Sequence, residues 1–271
     1  MGVPVSFDLL QSFEPNTQGR DIVVGDIHGY YTRLMRSLRY INFDPKVDRL
    51  FACGDLIDRG HENEKILNNL LLEPWFHPVL GNHEQMLVEV AEMPEYDLRN
   101  DVELRKDIIS NGGAWYLGLT RAERSACADL VSDLPLAIEI LNSAGRPAAG
   151  IVHADVPNRS WSEFREVLLS GEVDRRAKKC CLWAKSADVV NHWFFEPVAD
   201  IKHVFVGHNI YRPCIESPWE FLGLVRCDSG AWHPTTSEDC LFMLFDAVTA
   251  NCLTPHTLWP DWTDVQHQAV A

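Results

Sequence analysis

Six side chains with metal-binding chemistry each follow a short, mostly apolar run of the chain. The five runs end in glycine or another small residue, and polar residues follow at once. Carboxylate, amide and imidazole groups together suit Mn, Fe or Zn better than Ca, which takes oxygen ligands only. If the runs end side by side, these groups are enough for two adjacent divalent cations that share one carboxylate. The residues are Asp26, His28, Asp55, Asn82, His153 and His208.

Two adjacent divalent cations would favour displacement at phosphorus. About 3.5–4 Å apart, they stabilise the attacking and leaving oxygens and lower the pKa of a water between them. The reaction also needs positive charge for the phosphoryl oxygens and a proton for the leaving alkoxide. Arg59 stands four residues after Asp55, and His83 stands beside Asn82. Asp58 can pair with the His83 imidazole and keep it protonated.

The apolar runs and the segments between them indicate an α/β layered fold. Apolar residues recur at helical spacing over residues 31–41 and 66–71, after the first two runs. Alternating strands and helices predict stacked layers, and ligands of such folds gather at the carboxyl ends of strands. The predicted strands are residues 22–25, 50–54, 78–81, 150–152 and 204–207, followed by 222–227 and 241–245.

The middle of the chain carries helix signals. Thr120 with Glu123, and Ser160 with Glu163, match the capping-box pattern of a helix start. Residues 92–124 are polar, so we expect helices that lie over the core rather than in it. No linker divides the chain, which predicts one domain over residues 1–254 and a tail over residues 255–271 without an assigned role.

Composition excludes several classes of protein. The 271 residues are 46% hydrophobic and 23% charged, as in a globular protein rather than a disordered or fibrous one. A net charge of −15 disfavours nucleic acid and anionic membranes as partners. No apolar run approaches the roughly 18 residues of a membrane span, and no signal-peptide pattern opens the chain. The eight cysteines form no Cys-x-x-Cys pair, which favours reduced thiols and a cytoplasmic location.

Three motifs resemble the signatures of the phosphoprotein phosphatase family of metallophosphoesterases. Asp26 and Asp55 are 29 residues apart, and Asp55 and Asn82 are 27 apart, which also fits the family. Smaller matches resemble its bacterial and phage branch of serine/threonine protein phosphatases, over roughly residues 21–245. The three motifs are Gly25-Asp26-Ile27-His28-Gly29, Gly54-Asp55-Leu56-Ile57-Asp58-Arg59-Gly60 and Gly81-Asn82-His83-Glu84. The smaller matches include Asn111-Gly112-Gly113, His153-Ala154-Asp155 and Asp228-Ser229-Gly230.

The resemblance implies a fold, a cofactor and a role for each motif residue. The fold would be the calcineurin-like metallophosphoesterase fold, a β-sandwich core of two mixed sheets flanked by helices. Two divalent ions would bind, Mn²⁺ first among the choices and Fe or Zn as others. Asp26 and His28 would hold the first ion, Asp55 would bridge both, and Asn82, His153 and His208 would complete the second. Arg59 and Asn82 would contact the phosphate, and His83 with Asp58 would act as general acid.

Some positions depart from the family pattern. Proline commonly follows the Asp-Arg-Gly motif, but His61 stands there; His208 is followed by Asn209-Ile210 rather than threonine and proline. A second phosphate-binding arginine usually follows a Leu-Trp pair, whereas this chain has Lys185 in that region. Lysine keeps the charge but loses the two-pronged contact with phosphoryl oxygens. Lys185 is therefore a candidate phosphate contact only.

The predicted function is a metal-dependent phosphomonoesterase, foremost a serine/threonine protein phosphatase, with phosphotyrosine as a further substrate class. The resemblance implies direct in-line attack by a hydroxide bound to both metals, and a phosphoprotein or phosphopeptide as partner. A diadenosine polyphosphate or nucleotide hydrolase of the same superfamily is an alternative; Asp58 discriminates, because diadenosine tetraphosphate hydrolases lack that aspartate. A non-catalytic phosphatase-like binding module is a more distant alternative. The sequence leaves the oligomeric state open.

Overall fold

The structure is a computed structural model, and it describes residues 9–185, 197–210, 220–221, 223–233, 236–237 and 239–255. Two mixed sheets form its centre. The smaller sheet has strand order β10-β2-β3-β4; the larger has order β1-β5-β6-β7-β9-β8. The smaller contains β2 (Asp21–Val24), β3 (Arg49–Ala52), β4 (Phe76–Pro78) and β10 (Leu244–Asp246), and the larger contains β1 (Leu10–Phe13), β5 (Ala137–Leu141), β6 (Pro147–Val152), β7 (His203–Val206), β8 (Glu220–Phe221) and β9 (Leu224–Arg226).

Within each sheet, the strands ahead of the candidate ligands run parallel. In the smaller sheet, β2 pairs parallel with β3 and β3 with β4, while β10 is antiparallel to β2. In the larger sheet, β6 is parallel to β7 and β7 to β9. The carboxyl ends of β2, β3 and β4 therefore meet at one edge, as do those of β6, β7 and β9.

The helices lie in the connections and flank the sheets. The longest connection between consecutive strands, from β4 to β5, contains five of them. They are α1 (Tyr31–Tyr40), α2 (Asn63–Asn68), α3 (Asn82–Glu92), α4 (Glu95–Asn100), α5 (Val102–Ser110), α6 (Ala114–Leu117), α7 (Arg121–Asp129), α8 (Trp161–Ser170) and α9 (Arg175–Trp183).

The strand pleat sends alternate apolar side chains to different parts of the core. Val23 and Phe51 pack between the sheets, against Ile151 and Phe205 of the larger sheet. Their neighbour Ile22 faces the other way and belongs to the cluster that contains Leu34 of α1. Both faces of β2 and β3 are covered, which explains why these strands read as continuous apolar runs.

Most predicted strands are confirmed, with two shifts. The runs at 22–25, 50–54, 150–152 and 204–207 overlap β2, β3, β6 and β7, and the run at 222–227 includes β9. The strand predicted at 78–81 is misplaced, because β4 ends at Pro78 and Leu80 donates to the Pro135 carbonyl outside the ladder. At 241–245 the strand is β10, which starts only at Leu244. Residue 222 lies outside the described residues.

The helical segment over residues 92–124 was expected to lie over the core, and this is wrong in part. Leu98, Ile108 and Tyr116 are buried in the same cluster as the strands of the smaller sheet. The Thr120 capping box is confirmed in full. At Ser160, the side chain accepts from the Glu163 N–H, but the reciprocal bond is replaced by one from Asn158 to the Glu163 carboxylate.

Two further observations concern the chain as a whole. The described cysteines are all free thiols. Among the described helices, none has the length and apolar content required to cross a membrane. The single domain predicted over residues 1–254 stays a prediction, and residues 256–271 of the predicted tail lie outside the described part of the chain.

Candidate metal centre and active site

The carboxyl ends of five strands carry the predicted ligands. Asp26 and Asp55 follow β2 and β3, and Asn82 opens α3 just after β4. His153 directly follows β6, and His208 comes two residues after β7. The smaller sheet thus contributes the carboxylates and the amide, and the larger sheet contributes two imidazoles. The site lies where the edges of both sheets meet.

Backbone conformation at these strand ends is unusual. His28, Asp55, Asp58, Arg59 and His208 all have positive φ, between 47° and 73°. Residues other than glycine rarely adopt this region, and each instance costs of order 1–3 kcal/mol and persists only where the surroundings enforce it. Such turns direct a side chain back across the strand end. The strain therefore falls on the residues that the sequence marks for chemistry.

Asp55 is the centre of the cluster. Its Oδ2 lies 3.7 Å from His28 Nε2 and 3.6 Å from His83 Nε2. Its Oδ1 lies 3.4 Å from His153 Nε2. The carboxylate thus has one group of imidazoles on each side, an arrangement that would allow it to bridge two cations. Asp26 Oδ2 lies 3.8 Å from His28 Nε2, on the first side.

The second side is an arrangement of acceptors that face one another. His153 Nδ1 donates to the Cys53 carbonyl at 2.7 Å, so the neutral ring presents a lone pair at Nε2. That nitrogen lies 2.8 Å from Asn82 Oδ1, which only accepts. His208 Nδ1 lies 3.0 Å from the same oxygen. Even with a proton on His208, the His153–Asn82 pair joins two acceptors, and a cation between them satisfies both.

The first side shows the same signature at His28. Its Nδ1 donates to the Ile57 carbonyl at 2.9 Å, and its Nε2 is buried without a hydrogen-bond partner among the described residues. Ring nitrogens that ligate metals are oriented in this way, by a bond from the opposite nitrogen. The donor set and its unsatisfied atoms therefore fit two divalent cations.

Burial and local charge shift the pKa values of the ligand groups. Burial, together with the Arg59 charge, holds the pKa of His28 well below its usual range. Burial and His153 lower the pKa of His208 to about 4. Burial opposes ionisation of Asp55, but three surrounding histidines outweigh it and lower the pKa of that carboxyl. Burial thus favours the neutral form of the His28 and His208 imidazoles, which is the form that binds a metal.

His83 is placed as a proton donor rather than as a free imidazole. Its Nδ1 donates to Asp58 Oδ2 at 2.7 Å, and the other oxygen of Asp58 accepts from Trp115 Nε1 at 2.7 Å. Burial lowers the pKa of His83, but the Asp55 and Asp58 carboxylates outweigh burial and raise it. Its Nε2 faces Asp55 and Arg59. Trp115 therefore orients Asp58, and Asp58 in turn orients His83.

Arg59 is fixed from two directions. Its guanidinium lies over the Trp232 ring, 3.9 Å from the ring centroid, and its backbone N–H donates to the Gly112 carbonyl at 3.2 Å. Its Nη2 is 3.4 Å from His83 Nε2. The side chain is exposed at the mouth of the site, with its charge directed to the same space as His83.

Three further residues, to which the sequence assigns no catalytic role, lie around the site: Glu84, Asp228 and Trp232. Glu84 accepts from the Asp55, Leu56 and Ile57 N–H groups. Asp228 accepts from Trp232 Nε1 at 3.0 Å, and burial raises its pKa to about 6. The motif Gly81-Asn82-His83-Glu84 drew attention to Glu84, but no local pattern links Trp232 to Arg59, which is far away in the chain.

Lys185 is the one predicted site residue that the structure does not bring into the cluster. It is exposed and has no hydrogen bond or ion pair with the described residues. The nearest landmark is Trp183, two residues earlier, whose ring centroid lies 6.3 Å from that of His208. Its phosphate contact stays a prediction.

The sequence of the chain is similar to those of known phosphoesterases. Residues 20–211 match the family model described as calcineurin-like phosphoesterase. The chain is 38% identical over 162 residues to serine/threonine-protein phosphatase 2 of Escherichia coli (strain K12), which covers 58% of this chain and 69% of that protein. It is 44% identical over 69 residues to the symmetrical bis(5'-nucleosyl)-tetraphosphatase of Methylococcus capsulatus, covering 25% of each chain.

A solved structure supports the fold. A crystal structure described as that of a candidate diadenosine tetraphosphatase aligns with a TM-score of 0.51 and 20% identity, covering 87% of this chain and 90% of the other. At this identity the similarity concerns the fold alone: two mixed sheets flanked by helices.

Proposed function

The chain belongs to the calcineurin-like phosphoesterase family, and we propose that it is a metal-dependent phosphomonoesterase that removes phosphate from serine and threonine residues of proteins, with phosphotyrosine as a further substrate class. The observation that carries the proposal is the cluster of acceptors on both sides of Asp55, with the His83–Asp58 pair and Arg59 directed to the same space. A binding module without activity would not need the combination of a cation site, a proton donor and a phosphate-binding arginine.

The ligands divide at Asp55. Asp26, His28 and Asp55 would hold one cation; Asp55, Asn82, His153 and His208 would hold the other. Nitrogen and oxygen donors without thiolate favour Mn²⁺, with Fe and Zn as alternatives. When bound, the cations would supply a hydroxide nucleophile near neutral pH and positive charge for the phosphoryl oxygens.

The residues around the cluster would orient the substrate. The Arg59 guanidinium can take two phosphoryl oxygens at once, and stacking on Trp232 limits its rotation. Asn82, at the start of α3, would contact a third oxygen through its amide. Lys185 would add positive charge for the phosphate, as the resemblance of its segment implies. A phosphate held by these groups would place its leaving oxygen toward His83.

His83 would protonate the departing serine or threonine oxygen from Nε2. Asp58 keeps the proton on Nδ1 and stabilises the charged ring, so Nε2 can carry the second proton and release it. The phosphorylated side chain of a protein has a poor alkoxide leaving group, which makes such a proton donor valuable.

A second candidate is hydrolysis of diadenosine polyphosphates, because the chain is similar to a tetraphosphatase over 69 residues. That similarity covers a quarter of the relative, whereas the similarity to the named protein phosphatase covers 69% of it. Asp58 also favours the phosphatase, because the diadenosine tetraphosphate hydrolases lack this aspartate. Here its buried carboxylate accepts a hydrogen bond from His83, the proposed acid.

The test is turnover of a phosphoserine peptide, p-nitrophenyl phosphate and diadenosine tetraphosphate by the metal-loaded protein. We expect the peptide to be preferred over the dinucleotide. His83→Asn should lower kcat on the peptide by roughly 10²–10⁴, the usual weight of general acid catalysis, with little loss of metal. His61→Asn, which alters an exposed histidine outside the ligand set, is the control. Wild-type rates from His83→Asn, or preference for the dinucleotide, would contradict the proposal.

A further inference from the structure

A second cavity, apart from the candidate metal centre, is lined by three arginines. It has a volume of about 380 Å³ and lies between α4, α5 and α7. Arg99, Arg105 and Arg121 line it, one from each of these helices, over an apolar wall that includes Leu98 and Leu117. We call it the arginine cavity. Three guanidinium groups in one place are unexpected in a chain with a net charge of −15.

The positive charge of the arginine cavity is not balanced by the protein. Glu95 is the one acidic residue that lines the arginine cavity. Its carboxylate forms ion pairs with both Arg99, at 2.9 Å, and the buried Arg124. The guanidinium groups of Arg105 and Arg121 have no hydrogen-bond or ion-pair partner in the described part of the chain. Like charges within a Debye length repel, so an anion in the cavity would be stabilising.

Three carboxylates at or near the starts of α5 and α7 are engaged elsewhere. Asp101 caps α5 by accepting from the Leu104 N–H. Glu123 accepts from both the N–H and the hydroxyl of Thr120, and Glu103 pairs with Lys106 at 2.8 Å. The anion that fits the cavity would therefore come from another molecule.

Helix α6 links the arginine cavity to the candidate active site, because Leu117 of this helix lines the cavity and Trp115 contacts the site. Trp115, on this helix, donates to Asp58 of the site. Gly118, which lines the cavity, follows Trp115 by three residues, about 5 Å of helical rise. An extended peptide advances about 3.3–3.6 Å per residue, so a side chain roughly three to five residues from the phosphorylated one could reach this region.

We propose that the arginine cavity binds an acidic side chain of the substrate, so that the enzyme selects phosphopeptides with glutamate, aspartate or a second phosphorylated residue near the reacting one. This inference rests on the proposed function, which it extends to a substrate class. Arg105 and Arg121 would provide the new contacts, because Arg99 is held by Glu95. Both are charged donors that match a carboxylate or phosphate.

The experiment compares two phosphoserine peptides that are identical except for glutamate or glutamine at three to five residues on both sides of the phosphoserine. Wild type, Arg105→Gln/Arg121→Gln and Arg39→Gln/Arg146→Gln are assayed on both peptides and on p-nitrophenyl phosphate. The third protein is the control for net charge, because Arg39 and Arg146 are exposed and lie on α1 and on the β5–β6 turn. Thermal unfolding of each variant verifies its fold.

Wild type should favour the glutamate peptide in kcat/KM by about threefold to tenfold, the effect of one or two solvent-exposed arginine–carboxylate contacts. The cavity variant should lose this preference while its rate on p-nitrophenyl phosphate is unchanged, and the control should keep it. Added salt should reduce the wild-type preference. Equal use of both peptides by wild type, or a preference that survives in the cavity variant, overturns the inference alone. Failure of wild type on every phosphoserine peptide overturns the proposed function instead.

Discussion

Glu84 organises the loop that carries Asp55 through four backbone hydrogen bonds. Its Oε1 accepts from the Leu56 and Ile57 N–H groups at 2.8 and 3.2 Å. Its Oε2 accepts from Asp55 at 2.9 Å and Gly81 at 3.0 Å. Burial, and then the Asp55 charge, raise the pKa of Glu84 to about 7. One side chain on α3 thus fixes the turns after β3 and β4 together.

Glu84→Gln should therefore destabilise the fold and weaken metal binding. The amide places an NH₂ group against two N–H donors, which leaves both without an acceptor at a cost of at least about 2 kcal/mol. Urea unfolding and elemental analysis measure the two effects. Glu89→Gln, an exposed glutamate on the same helix, should change stability by less than about 0.5 kcal/mol. Equal stability and metal content for Glu84→Gln and wild type would refute this role.

The structure brings together the side chains that local motifs predict to be ligands. Contacts between residues far apart in the chain could not be predicted in this way. Asp26, Asp55 and Asn82 follow parallel strands of one sheet, so their convergence follows from strand order alone. The stacking of Trp232 on Arg59 joins residues that share no motif. Such a contact depends on how residues 223–233 pack against the turn after β3, which periodicity does not encode.

At the scale of elements, the turn at residues 111–113 acts as a brace for Arg59. Gly112 has φ of +89°, and a Cβ there would lie 2.5 Å from the Arg59 backbone nitrogen. The Gly112 carbonyl accepts the Arg59 N–H. The turn between α5 and α6 is therefore in direct contact with the strained turn after β3.

Gly112→Ala should move Arg59 and raise KM for a phosphopeptide by about tenfold, the loss of one charged hydrogen bond to phosphate. Gly145→Ala is a matched control, since Gly145 also has positive φ, of +69°, but nothing lies within 4 Å of the added Cβ. Gly145→Ala should lose about 1–2 kcal/mol of stability from the left-handed backbone, and Gly112→Ala should lose more, because its Cβ also meets the Arg59 backbone. If KM rises equally in both, strain rather than contact with Arg59 is responsible.

Strands that form a continuous apolar run could be predicted from the sequence. Strands that depend on partners from other elements could not. No apolar run predicts β5, because Glu139 stands in its middle. This glutamate is fully buried and accepts from Ser12, Trp161 and Arg165, all from other elements. The polar composition of residues 92–124 predicts helices outside the core. A few buried residues in this segment, such as Ile108, nevertheless pack into the core.

At the scale of the whole molecule, the candidate metal centre joins the two sheets. Asp26, Asp55 and Asn82 come from the smaller sheet, and His153 and His208 come from the larger. The net charge of −15 is not concentrated here, since only Asp26 and Asp55 would be carboxylate ligands. Burial, then the charges of Asp228 and Asp55, hold the pKa of Asp26 well above its usual value. Repulsion across this junction is what bound cations would relieve.

Metal removal should therefore loosen the whole fold rather than the site alone. A ligand at 100 times its Kd stabilises the native state by about 2.7 kcal/mol, which corresponds to roughly 5–10 °C in Tm for a chain of this size. Stripping the protein with a chelator should lower its Tm by that amount, and Mn²⁺ should restore it. Asp55→Asn removes the shared carboxylate and should abolish the Mn²⁺-dependent rise, together with the bound metal. Asp129→Asn removes an exposed charge at the end of α7 and should leave the rise intact. A rise in Asp55→Asn equal to that of wild type would show that the cations bind elsewhere and do not join the sheets.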